Sequence, residues 1–129
     1  MKFINMEHHN RFDELKRQMP ATLNGDKKLI SLAYIMSSNQ DINIKMSPYI
    51  DWGKSFDYNK MMTENVFLED EKVLVQLANS FYTDKDYLQF NDVFKKLNPN
   101  QQEVAINAAK YRYNNRDIYQ IDDEVIYIK

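Results

Sequence analysis

The sequence predicts a mainly α, single domain of about five helices with a small β element, and three observations carry that reading. In Leu68 to Tyr82 the apolar residues fall at 73, 74, 77, 78, 81 and 82, which is helical spacing. Asn98, Pro99 and Gln101 stand in the order of a capped helix start, with proline where its missing N–H costs nothing and glutamine at the capping-box position. From Ile118 to Ile128 the period changes: Tyr119 and Ile121, then Val125 and Tyr127, alternate around Asp122 and Asp123, as in a terminal β-hairpin.

Taken in order, Asn5 is a candidate cap for a first helix that runs to about Met19 and stops before Pro20, with His8, Phe12, Leu15 and Met19 on one face. PATLNG at 20–25 is a connection. Asp26 caps a second helix carrying Leu29, Ile30, Leu32, Ala33, Ile35 and Met36, and Ser37 to Gln40 end it. Between 41 and 65 the helical pattern fails. Ile42, Ile44 and Met46 alternate with polar residues and suggest a brief strand, Pro48 and Gly53 interrupt the chain beyond it, and a short helix fits near 58–62. A connection this long is either a functional loop or holds unrecognised structure.

The 68–82 helix then serves as the organising element. Val73, Leu74, Leu77, Ala78, Phe81 and Tyr82 cover about half its circumference, more than the roughly 100° stripe of a helix resting on a surface. Glu69, Asp70 and Glu71 precede the run, where carboxylates meet the positive end of the helix dipole. Tyr87, Phe90, Val93, Phe94 and Leu97 stripe the next helix. Val104, Ala105, Ala108 and Ala109 give the 99–116 helix a small-residue face for close approach, with the 68–82 helix as the expected neighbour. A lone hairpin is marginal in water, so 118–128 is expected to pack on the helices or to pair with residues 42–46.

A chain of 129 residues fits one domain, here 1–129, able to bury roughly two thirds of its unfolded surface. Apolar residues at 43% and charged residues at 28% are ordinary globular values. Nine Tyr, seven Phe and one Trp supply large areas with polar handles, suited to cores and contact surfaces alike. Absence of cysteine removes disulfides and thiolate chemistry and fits a reducing compartment. MKFINMEHHN lacks an apolar signal-peptide core and no run approaches 18 apolar residues, so the expected location is cytoplasmic, without a membrane partner. The net charge of −2 argues for neither acidic mimicry nor strong nucleic-acid attraction.

The candidate chemistry is thin. Glu7, His8 and His9 invite a metal or acid–base role, yet adjacent histidines on a helix point about 100° apart, unlike an i, i+4 ligand pair. The expected arrangement is His8 bordering the core and His9 in solvent, with no catalytic, metal or cofactor site. Asp51, Asp57, Asn59 and Glu64 lack the order of an EF-hand loop. The only glycines are Gly25 and Gly53, too few for a phosphate-cradling loop. KYRYNNR at 110–116 interleaves cations with tyrosines, making Lys110, Arg112 and Arg116 candidate nucleic-acid contacts. Cations there also stabilise a helix C-terminus, and Arg112, near the small-residue face, is expected to bridge to an acid or to snorkel. Trp52, Tyr49, Phe56 and Tyr58 cluster around Gly53 and are the candidate partner surface; the same residues would serve equally to close one end of the helical core.

Three segments, EHHNRFDEL at 7–15, LEDEKVLVQLANSFY at 68–82 and LNPNQQEVAINAAKYRY at 97–113, together resemble a family of short, mostly helical proteins of unassigned activity from Gram-positive bacteria and their phages. The resemblance implies a bacterial or phage cytosolic origin and favours helices over strands. It brings no functional residue with it and does not extend to the terminal hairpin. The expected function is a non-enzymatic protein that regulates or inhibits a host or defence protein, a CRISPR nuclease for example, by surface occlusion. A nucleic-acid-binding accessory role is the alternative, and homodimerisation through an exposed apolar strip is compatible with both.

Overall fold

The computed structural model describes residues 1–86, 88–114 and 125–128. Seven α-helices are present among them: α1 (Met6–Gln18), α2 (Lys27–Ser37), α3 (Gln40–Met46), α4 (Tyr58–Glu64), α5 (Glu69–Thr83), α6 (Phe90–Lys96) and α7 (Pro99–Tyr113). Four two-residue strands accompany them: β1 (Lys2–Phe3), β2 (Ile50–Asp51), β3 (Ser55–Phe56) and β4 (Ile126–Tyr127). The mainly α class with a small β element holds. The two extra helices, α3 and α4, are short and both occupy the 41–65 stretch with the residue before it.

The helix starts follow local chemistry. The side chains of Asn5, Asp26 and Asn98 accept from the first-turn N–H groups of α1, α2 and α7, and Gln101 returns a bond to the Asn98 N–H. At α5 the Glu71 carboxylate accepts from the Leu68 N–H at 3.0 Å.

The centre of the molecule is α2 rather than α5. Leu29 to Ser37 are buried without interruption, and α2 packs against α1, α3, α5 and α7. A helix apolar all round belongs in the middle of a fold, whereas the wide face of α5 needs only neighbours on two sides, which α2, α6 and α7 supply. The small-residue face of α7 lies chiefly on α2, where Ala105 and Ala108 are buried, and meets α5 second. The Phe12 helix, α1, rests chiefly on α2.

Residues 42–46 are helix, which overturns the expected strand and any pairing of it with the terminal hairpin. Asn39 Oδ1 accepts from the Ile42 N–H at 3.0 Å, and Ile42 and Met46, one turn apart, are buried while Ile44 is 62% exposed. What reads as alternation is an i, i+4 pair with an outward residue between. The rest of the long connection is a tight β2–β3 hairpin, in register Ile50 with Phe56, followed by α4 where a short helix was expected.

Of the terminal hairpin, residues 115–124 lie outside the described residues. Its last strand, β4, pairs with β1 in parallel, Lys2 opposite Ile126 and Phe3 opposite Tyr127. The N–H of Ile126 reaches the Met1 carbonyl at 3.0 Å and that of Ile128 the Phe3 carbonyl at 2.6 Å. The described part of the β element thus joins the two ends of the chain. Beneath it, Tyr34 is fully buried and donates its hydroxyl to the Lys2 carbonyl, while Asn107 Nδ2 donates to the same hydroxyl at 3.3 Å.

Candidate partner-binding groove

The aromatic residues around Gly53 are half-buried, and their polar handles are used within the fold. Trp52 Nε1 donates to Gln18 Oε1 at 3.3 Å, and the Tyr49 hydroxyl accepts from Asn65 Nδ2 at 3.1 Å. Phe56 sits edge-on between Tyr58 and Tyr82, with ring centroids 6.0 and 5.9 Å away. Gly53 adopts φ +87°, and a Cβ there would stand 2.6 Å from Leu23 Cδ1 and 3.3 Å from Pro20 Cγ. The hairpin therefore lies flat against the Pro20–Leu23 corner. Tyr49, Trp52, Phe56 and Tyr58 pack against the core and stay partly exposed.

The cations of the last helix are divided. Lys110 is exposed and Arg116 lies outside the described residues. Arg112 is turned into the fold: its Nε donates to the Phe81 carbonyl at 2.9 Å, its Nη2 lies 3.4 Å from Asp84 Oδ1, and its guanidinium stands 4.9 Å from the Tyr113 ring centroid. Phe81 contributes one of the carbonyls that the C-terminus of α5 leaves without an intrahelical partner, so a cation there is held by the helix dipole as well as by Asp84.

Phe81, Asp84 and Tyr113, the residues around that guanidinium, also line an open and largely apolar groove. Leu77 and Phe81 from α5, Leu88, Phe90 and Val93 from α6 and its approach, and Tyr113 from α7 line a depression of about 250 Å³. Phe90 is 77% exposed and Tyr113 57% exposed, although both are large aromatic groups. Phe90 pairs with Phe94 at 4.8 Å, and Tyr113 stands edge-on to Phe81 at 5.7 Å. Asp84, in the left-handed conformation at φ 60°, Lys85 and Asp86 form a charged rim. An apolar floor with a polar rim is the anatomy of a protein contact surface. Its volume falls below the roughly 300–1,000 Å³ of small-molecule sites, which suits side chains of a partner better than a free ligand.

Sequence reading placed Phe90 and Val93 on one helix face but did not find the groove. The signal available was the aromatic pair Phe90 and Phe94, one turn apart on a helix of only two turns, more aromatic surface than one side of it can bury.

The histidines separate. His8 is buried and bridges two backbones: its Nδ1 accepts from the Ile4 N–H at 3.0 Å, so the proton resides on Nε2, which donates to the Tyr34 carbonyl at 2.9 Å. Burial lowers its pKa to about 4, keeping it neutral. His9, expected in solvent, is instead half-buried. It stacks on Phe3 at 4.5 Å, its Nε2 lies 3.2 Å from Asp13 Oδ2, and its Nδ1 lies 2.9 Å from the Tyr127 hydroxyl.

With this geometry in place, comparison with known proteins adds nothing further: no family model, curated protein or solved structure matches the chain. Among the described residues no helix is long and apolar enough to cross a membrane.

Proposed function

We propose that this protein is a non-enzymatic binding protein, of the phage or mobile-element type that its helical segments resemble, which regulates or inhibits a host or defence protein by covering part of its surface. The observation that supports this reading is the groove between α5, α6 and α7, where Phe90 and Tyr113 stand exposed over an apolar floor. Aromatic residues at a surface supply much contact area for little loss of side-chain freedom. A partner inserting an apolar helix face or loop residue would cover Phe90 and Tyr113, and the mixed charges of the rim would set its orientation.

The nucleic-acid alternative is weakened by Arg112, whose donors face Phe81 and Asp84 rather than outward. The test is recovery of bound proteins from a bacterial lysate by wild type and by Phe90→Asp. Wild type recovers a partner that the variant loses; equal recovery by both overturns the groove assignment.

A further inference from the structure

His9 has a second arrangement around it that the groove does not use. Its Nε2 faces the Asp13 carboxylate one helical turn below, at 3.2 Å. A carboxylate only accepts, so Nε2 carries a proton, and in the neutral ring Nδ1 is left as an acceptor. The Tyr127 hydroxyl, 2.9 Å from Nδ1, must then donate its proton to it. The Phe3 ring, stacked 20° from parallel at 4.5 Å, holds the imidazole plane, and β1–β4 pairing holds Tyr127 over it. A hydroxyl bonded to a base, with that base oriented by a third group, is the arrangement that activates an oxygen nucleophile. Tyr127 is 40% exposed, so the residue lies at the surface.

We propose that Tyr127 is a stoichiometric acyl-acceptor site, primed by His9 and Asp13 for attack on an activated acyl ester. Tyr127 Oη forms a bond to the ester carbonyl carbon while its proton passes to His9 Nδ1. The tetrahedral adduct expels the alcohol or phenol oxygen, which takes that proton, leaving an O-acyl tyrosine and neutral His9, with no change of oxidation state. The class of donor follows from the surroundings. The groups touching the imidazole are an apolar ring and an anion, Phe3 and Asp13, which suit a neutral acyl ester and disfavour a polyanionic phosphoryl donor.

The test is acetylation of the full chain by p-nitrophenyl acetate, read as nitrophenol release and as acetyl-bearing tyrosine peptides by mass spectrometry. Tyr113, the more exposed tyrosine, is the internal reference. Tyr127 is expected to acylate at least about tenfold faster than Tyr113, and His9→Gln to bring it down to the Tyr113 rate. Equal rates in wild type, or a fast Tyr127 unchanged by His9→Gln, overturn the proposal. Should His9→Gln fail to fold by circular dichroism, Asp13→Asn decides, since it removes the carboxylate 3.2 Å from Nε2 that orients the ring. Tyr127 is then expected to slow toward the Tyr113 rate, and a Tyr127 rate unchanged by Asp13→Asn overturns the assignment.

Discussion

His8 Nε2 lies 2.9 Å from the carbonyl oxygen of Tyr34, and the same ring accepts the Ile4 N–H through Nδ1, so one neutral imidazole joins the strap before α1 to the middle of α2. Protonation would set a new N–H donor against the Ile4 N–H in a site that water does not reach. Phe3 and Tyr34, the aromatic rings nearest to His8 at 5.0 and 4.8 Å, offer no compensating anion.

This fixes the sign of the acid response. The folded-state pKa of about 4 lies below the usual 6.5, so the unfolded chain takes up the proton first as pH falls. The His8 contribution is whole above about pH 6.5 and is lost as pH falls toward about 4, a change of up to about 3 kcal/mol. Glu71 works in the opposite direction, since burial raises its carboxyl above the ordinary range and its contribution grows as pH falls. Urea denaturation of wild type and His8→Gln at a series of pH values separates the two. The stability difference between the proteins is expected to narrow steadily from about pH 6.5 to about pH 4. A difference independent of pH would mean that His8 is not held neutral.

Tyr34→Phe leaves the Lys2 carbonyl and the Asn107 amide without their shared partner in the core. A loss of about 1–3 kcal/mol is expected by chemical denaturation, the range for stranded buried polar groups. A change within about 0.5 kcal/mol would show that water or a neighbour replaces the hydroxyl readily.

Gly53→Ala places a methyl group on a backbone at φ +87°, against Leu23 and Pro20. Left-handed backbone costs a non-glycine residue about 1–3 kcal/mol, and the approach to Leu23 adds to it. The thermal midpoint is expected to drop by several degrees, at about 4 °C per kcal/mol for a domain between the 60–100-residue and 150–250-residue ranges. An unchanged midpoint would show that the hairpin can lift from the Pro20–Leu23 corner without cost.

Arg112→Met removes the guanidinium that ties the end of α7 to the end of α5. A destabilisation of about 1–3 kcal/mol is expected in urea denaturation, as for hydrogen bonds to a charged group. Arg112→Lys recovers only part of it, because an ammonium cannot reproduce the directed guanidinium fork. Full stability in Arg112→Met would return that side chain to the pool of surface cations.

Legibility in the sequence tracks the range of each interaction. The starts of α1, α2 and α7 were legible because Asn5, Asp26 and Asn98 act on N–H groups two or three residues away. Asn39 acts in the same way on α3, but Ser37 to Gln40 read as a helix end, and two helices meeting with almost no linker mask the cap. The pairing of β1 with β4 joins Phe3 to Tyr127, and a two-residue strand with so distant a partner leaves no periodicity to read. The groove was hidden for a different reason. Leu77, Phe81, Phe90, Val93 and Tyr113 each suit a helical stripe, and only the placing of three helix ends decides that Val93 is covered while Phe90 is not. Similarly, Trp52 and its neighbours have the composition of an interface, and it is the close approach of Gly53 to Leu23 that lays them against the core.

The proposed role rests most directly on Phe90, because its ring is exposed and its replacement should leave the fold intact. Phe90→Asp is expected to change stability by no more than about 0.5 kcal/mol, as for other exposed positions. In a quantitative pull-down from bacterial lysate, that variant is expected to lose a protein that wild type, Trp52→Ala and Lys110→Glu all retain. Retention of every bound protein by Phe90→Asp, or its loss on Trp52→Ala instead, would contradict a partner surface between α5, α6 and α7.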